Sequence, residues 1–175
     1  MKKVTVILIT LYIGVLPVCG QINKDLIIEK MNSLHYMTGI WSGVGWVLGQ
    51  EGKIMEFNQT ENIRYQLDET ILLIEGIGKE QETNAVTFEA SGIITYDAST
   101  GQYTIRSYIS SGQFTDAKAH FEGDNFIWTF STPAGKIKYT HHITDEIHWK
   151  ETGEFSSDGT KWNKFFEMNL EKQTK

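Results

Sequence analysis

A few side chains in this sequence combine a chemically capable type with a spacing that places them among apolar neighbours. In the run 53–67, Phe57, Ile63, Tyr65 and Leu67 alternate with Asn58, Thr60, Asn62, Arg64 and Gln66. A period of two assigns the first set to the buried face of a strand. Gln59 and Glu61 fall on that same face. The same logic sets His141 between Tyr139 and Ile143, and Glu151 beside Trp149 in line with Phe155. Phe126, Trp128 and Phe130 form an aromatic stripe, and Trp162, Phe166, Met168 and Leu170 another, interrupted by Lys164. A buried polar group without a partner costs ~1–3 kcal/mol. Several together imply either an internal network with trapped water or a ligand.

The expected ligand-binding set is therefore Gln59, Glu61, Trp128, Tyr139, His141 and Glu151, with Arg106 and Tyr108 conditional. In 102–110, Tyr103, Ile105 and Ile109 oppose Thr104, Arg106 and Tyr108, and the pattern leaves the inward face open. An inward Arg106, with Tyr108 beside it, would anchor a carboxylate head group. An outward Arg106 would be a solvated surface charge. Glu61, Glu89, Glu151 and Glu167 could supply a carboxylate pair for acid–base chemistry, or serve only as partners for Arg64, Arg106 or Lys164. His141 and His142 are adjacent, so a strand points them to opposite faces and they cannot grip one metal. The remaining metal option is His141 with Glu151 or Glu61 across a barrel. There is no Gly-x-Ser-x-Gly elbow, and Ser107, Ser110 and Ser111 have no base assigned by sequence. Residues and spacing leave any catalytic residue open, and no metal or cofactor is expected.

Composition narrows the partners. The chain has 175 residues and a net charge of −6, with no basic block, which argues against nucleic acid or an anionic membrane surface. Met1-Lys2-Lys3 precedes an apolar stretch, 4–18, too short to span a bilayer stably. It ends Val18-Cys19-Gly20. Cleavage between Gly20 and Gln21 is expected, making 1–20 a signal peptide and the product periplasmic or secreted. Acylation of Cys19 as a lipoprotein is the alternative, with Val18 a poor fit before the cysteine. The mature chain, 21–175, would then contain no cysteine. It is long enough to be held by one core without disulfides.

These side chains need a scaffold. Asn23 can cap a helix running to about His35, with Leu26, Ile27, Lys30, Met31 and Leu34 on one face. Ten β-rich runs follow, at 40–48, 53–67, 70–79, 86–96, 102–110, 114–121, 125–131, 136–144, 146–155 and 161–170. The connectors are short and rich in Gly, Asp and Asn, which demands antiparallel neighbours. Ten strands in sequence order leave two long edges, and closure removes them. The fold class is all-β: an antiparallel up-and-down β-barrel of about ten strands with a short N-terminal helix, in a single domain. A two-sheet sandwich is the alternative.

Gly39-Ile40-Trp41 after a short helix resembles the Gly-x-Trp signature of the lipocalin (calycin) superfamily. The wider run Gly39 to Trp46 carries a more specific likeness. So do Tyr96-Asp97 with Gly101 and Tyr103, Arg106-Ser107-Tyr108 with Gly112, and Gly153-Glu154-Phe155-Ser156 with Trp162, Phe165, Phe166, Glu167 and Met168. Together these resemble the bacterial domain-of-unknown-function family one-five-seven-nine. The resemblance implies a calycin-like barrel and no agreed activity. It also implies a basic residue packed over Trp41, for which Lys164 and Lys172 are the candidates, with Gly39, Trp41 and Lys164 as structural residues. Some ten-stranded calycin-like barrels bind haem through a histidine, which would make His141 the axial candidate.

The expected function is an exported barrel binding a small, partly apolar ligand that could carry a carboxylate head. A hydrolase or isomerase in the same cavity, or a structural or partner-binding module, are the rivals. Residues and spacing leave the oligomeric state open.

Overall fold

The computed structural model describes residues 19–143 and 145–174. Residues 1–18, which hold most of the expected signal peptide, lie outside the described residues. The elements run α1 (Cys19–Asn32), a 3-10 turn (His35–Met37), β1 (Gly39–Leu48), β2 (Ile54–Gln66), β3 (Ile71–Glu80), β4 (Val86–Asp97), β5 (Gln102–Ile109), β6 (Phe114–Glu122), β7 (Asn125–Thr132), β8 (Gly135–Ile143), β9 (His148–Ser156) and β10 (Asn163–Lys172). Each strand pairs antiparallel with its sequence neighbours, and β1 pairs with β10 to close the cylinder. The expected up-and-down barrel is the observed fold.

Helix α1 starts earlier than its cap signal suggested: Asn23 lies within the helix, not at its start. The helix lies across one end of the barrel. Met31 and Leu34 are fully buried there, with Met37 beneath them. Tyr65 and Tyr103 fasten the helix by donating their hydroxyls to the carbonyls of Met31 and Lys30, at 2.8 and 2.7 Å. Lys24 adds an exposed ion pair to Asp68.

Trp41 plugs this end. It is 1 % exposed, donates its indole N–H to the Met37 carbonyl at 2.7 Å, and meets Trp149 edge-on at 5.6 Å. The basic side chain over its ring is Lys172, with Nζ 5.0 Å from the centroid and bonded to the Tyr36 carbonyl. Lys164 does not take that position. It adjoins a register shift between Lys164 and Phe166, and its ammonium pairs with Glu167 on the outer face. The same irregularity breaks the expected stripe, so Trp162 leaves the line of Phe166, Met168 and Leu170 and lies under Lys138. Leu67, expected inward, sits 72 % exposed in the β2–β3 turn at φ 51°.

Closure depends on a close approach at β1. A Cβ on Gly43 would lie 2.1 Å from the Asn169 carbonyl oxygen and 2.9 Å from Leu170 Cα. Both are backbone atoms of the closing strand and cannot rotate aside. Gly43→Ala must therefore push β1 from β10. It is expected to destabilise the protein by about 3 kcal/mol or more, as severe overpacking does. Urea denaturation followed by circular dichroism checks this, and an unchanged midpoint contradicts it.

Candidate functional site

The interior holds a cavity of about 1050 Å³. It runs from a floor above Met37, His141 and Trp149 to the end opposite α1. There Lys53, Ile54, Glu80, Gln81 and Glu82 form its mouth. The walls are mainly apolar and aromatic, including Phe57, Phe126, Trp128, Tyr139 and Phe166. This is the size range of small-molecule sites.

Strand register explains how polar groups are accommodated. Glu61 stands opposite Trp41 on β1 and Gly76 on β3, and Gln59 stands opposite Gly43 and Gly78. A Cβ on Gly76 would lie 2.7 Å from both Glu61 carboxyl oxygens, and one on Gly78 would lie 2.9 Å from Gln59 Oε1. The two glycines thus create the room that the two polar side chains occupy. Gly76 and Gly78 were not singled out from sequence. Aligning the 53–67 and 70–79 hairpin would have placed them beside the buried polar pair.

Gln59 donates Nε2–H to Glu61 Oε1 at 2.7 Å, while Glu61 Oε2 is buried without a partner. Across the lumen Glu151 accepts from Trp128 Nε1 at 3.1 Å. Its register partners are His141 on β8 and Met168 on β10. His141 is 3 % exposed, stacks on Trp149 at 4.4 Å, and keeps Nδ1 unbonded. Trp149 Nε1 lies near enough to Glu151 to ease its ionisation slightly, yet has no hydrogen bond of good geometry. The Tyr36 hydroxyl completes the buried groups without a partner. Trp128 and Tyr139 stack face to face at 4.1 Å.

Burial controls the charge of these groups. It pushes the Glu61 carboxyl up to about 7 against the opposing bond from Gln59. It pushes Glu151 up to about 7 as well, opposed by Trp128 and reinforced by the field of Glu61. It drives His141 down to about 3, with His142 adding repulsion, so this imidazole is neutral. Tyr36 and Tyr139 are raised by burial and by Glu151.

Six of the eight expected ligand-binding residues thus line one cavity: Gln59, Glu61, Trp128, Tyr139, His141 and Glu151. Arg106 and Tyr108 do not. Tyr103 and Ile105 take the inward positions of β5, so alternation turns Arg106 and Tyr108 outward. Arg106 forms a two-pronged pair with Asp116 at 2.6 and 2.8 Å and lies 5.0 Å from the Phe114 ring. The carboxylate-head expectation loses the residue on which it rested. Among the described residues no group of three or more His, Cys, Asp or Glu side chains could hold a metal ion. Tyr36 was missed, because it lies in the 3-10 turn where no strand alternation marks an inward side chain.

No family profile matches the chain, and no curated protein does. Among solved structures, the barrel is similar to Rv2717c from M. tuberculosis, with a TM-score of 0.62 at 12% identity over 82% of this chain and 97% of that one. It is also similar to the S-type phycobiliprotein lyase CPES from Guillardia theta, with a TM-score of 0.60 at 10% identity over 91% of this chain and 99% of that one. These likenesses show a shared fold, the closed antiparallel barrel.

The buried carboxyls give stability an unusual pH dependence. Their folded-state values near 7 exceed the ordinary 4.5, so the folded protein holds protons that the unfolded chain releases. Their contribution is intact below pH 4.5 and is lost as pH rises to 7, by up to about 3 kcal/mol each. His141 acts oppositely, with stability falling as pH drops below 6.5. Two carboxyls outweigh one imidazole, so urea denaturation should find the protein less stable at pH 7.5 than at pH 5. Glu61→Gln with Glu151→Gln should remove that difference and reverse its sign, because His141 then sets the pH dependence alone. Equal wild-type midpoints at the two pH values contradict the assignment.

Proposed function

We propose that this chain is an exported barrel protein that holds a small, largely apolar ligand in its lumen. The observation that carries this reading is the cavity of about 1050 Å³ whose buried lining includes Glu61 Oε2, His141 Nδ1 and Trp149 Nε1, all without partners. Native interiors satisfy nearly all such atoms. A solid structural core would have no such space, and no protein group among the described residues closes these bonds. Apolar walls supply affinity, and the few polar atoms near the floor supply orientation. That one protein of this fold is named a phycobiliprotein lyase accords with a barrel that handles small molecules. The motifs around Trp41, Tyr103 and Phe155 support placing the chain in family one-five-seven-nine. The basic start and short apolar run of 1–20 support export.

A second reading is an enzyme, a hydrolase or isomerase, using the same lumen. One observation favours it: Glu61 and Glu151, both near 7, could exchange protons with a substrate at neutral pH.

The test uses protein purified from its own host. Native mass spectrometry should show a co-purifying small molecule on a chain that begins at Gln21. A full-length chain overturns the export proposal. Nile red should bind the emptied protein and be displaced by the recovered molecule. Gly92→Phe serves as the blocking variant, because a Cβ there meets only Ile74 and Ser107 at 3.8 and 3.9 Å and a larger side chain would enter the lumen. It should keep the fold and weaken dye binding roughly tenfold or more, about 1.4 kcal/mol. Dye binding that the substitution leaves unchanged overturns the lumen reading.

A further inference from the structure

Resting on the lumen reading above, we infer that the ligand carries a cationic amine, received by the carboxylates of Glu61 and Glu151 and the aromatic rings beside them. The donor and acceptor inventory of the cavity leads to this class. Glu61 Oε2 is an acceptor without a donor, and Glu61 is only 8 % exposed. Glu151, 7 % exposed, receives only the long indole bond from Trp128 and the poorly aligned N–H of Trp149. Among the described residues the cavity lining contains one cation, Lys53, at the mouth. Three basic groups near the barrel wall are committed elsewhere. Arg106 pairs with Asp116 and Arg64 with Glu75 on the outer face, and Lys172 is held between the Trp41 ring and the Tyr36 carbonyl.

Each ligand charge class meets this lumen differently. An anion would find no guanidinium or ammonium at the floor and would face two acidic side chains. A hydrocarbon without a polar end would leave Glu61 Oε2 unpartnered in a dry site. An ammonium has donors and no acceptor, and so complements the acceptor oxygens of Glu61 and Glu151, while the Trp149 N–H beside them stays open to an acceptor elsewhere on the ligand. Trp128, Tyr139 and Trp149 line the same space, and the ring faces not covered by the Trp128–Tyr139 and His141–Trp149 stacks attract cations, most strongly where water is excluded. Glu56, Glu80 and Glu82 at the mouth outnumber Lys53, so the approach field also favours a positive guest.

Ionisation completes the complementarity. The groups facing the two carboxyls are Gln59 on their own side, His141 and Tyr139 from β8, Tyr36 from the 3-10 turn, and each other. None is a cation at neutral pH, since His141 is held neutral by burial. Near pH 6 the carboxyls are mostly protonated. When an ammonium binds, a carboxyl releases its proton to solvent and the resulting carboxylate accepts from the N–H groups. One proton leaves for each ion pair formed. Affinity for an amine therefore rises with pH, by up to tenfold per unit below the carboxyl value.

Calorimetry with three matched probes tests this: tryptamine, the alcohol tryptophol and the acid indole-3-propionate. Tryptamine should bind at least tenfold more tightly than either analogue at pH 7.5. Its affinity should fall by roughly tenfold or more by pH 5.5. Titrations in buffers of different ionisation enthalpy should show proton release near pH 6. Glu61→Gln or Glu151→Gln, each checked for fold by circular dichroism, should lower tryptamine affinity at least tenfold and leave tryptophol nearly unaffected. Equal affinities, or tightest binding by the acid with affinity rising as pH falls, overturn the inference and leave the lumen reading intact. The same holds if all three probes fail while Nile red still enters the lumen. If Nile red fails as well, the lumen reading falls and the inference with it.

Discussion

Two carboxyl groups share one largely apolar lumen, and among the described residues neither is paired with a cation. Moving a charge out of water without a compensating partner is among the largest penalties in a protein interior. Glu61 and Glu151 respond by holding their protons near neutrality. The N–H of Gln59 and that of Trp128 favour the ionised forms without outweighing burial, and Gly76 removes the side chain that would collide with Glu61. The arrangement suits a guest that brings its own charge, and it is tolerated without one only because the carboxyls can neutralise.

The barrel makes such a lumen possible. Antiparallel closure satisfies the strand backbones within the wall, so side chains alone decide the character of the interior. At the helix end, Trp41, Met31, Leu34 and Met37 form a dense plug. Toward the other end the inward positions of β1 and β3 are Gly43, Gly45, Gly76 and Gly78. Gly43 lets β10 approach, Gly45 makes room for the Phe57 ring, and the two glycines of β3 make room for Glu61 and Gln59. Small residues on two adjoining strands and large ones on β7 and β8 leave the lumen unevenly filled. One end is a packed support and the other a cavity.

Much of this was legible in the sequence where a strand had one clearly apolar face. The alternation around Phe57, Ile63 and Tyr65 set Gln59 and Glu61 inside, and Tyr139 and Trp149 did the same for His141 and Glu151. Arg106 was ambiguous because β5 carries a tyrosine or isoleucine on both faces, and only its pairing with Asp116 across β6 shows which face meets water. The position of Lys164 depended on a one-residue irregularity in β10, which alternation cannot reveal. Tyr36 and Lys172 become neighbours through contacts far apart in the chain. The cavity itself is a volume left by the sum of side chains, and no local pattern encodes it.

The central claim is that both carboxyls are buried and without cation partners in the empty protein. Carbon-13 NMR of glutamate-labelled protein, with Glu61→Gln and Glu151→Gln to assign the signals, follows each carboxyl directly through its titration. The account predicts that Glu61 and Glu151 titrate near pH 7, well apart from the exposed glutamates. Midpoints near the ordinary carboxyl value for both would contradict it, because carboxyls that ionise so readily would be hydrated or paired.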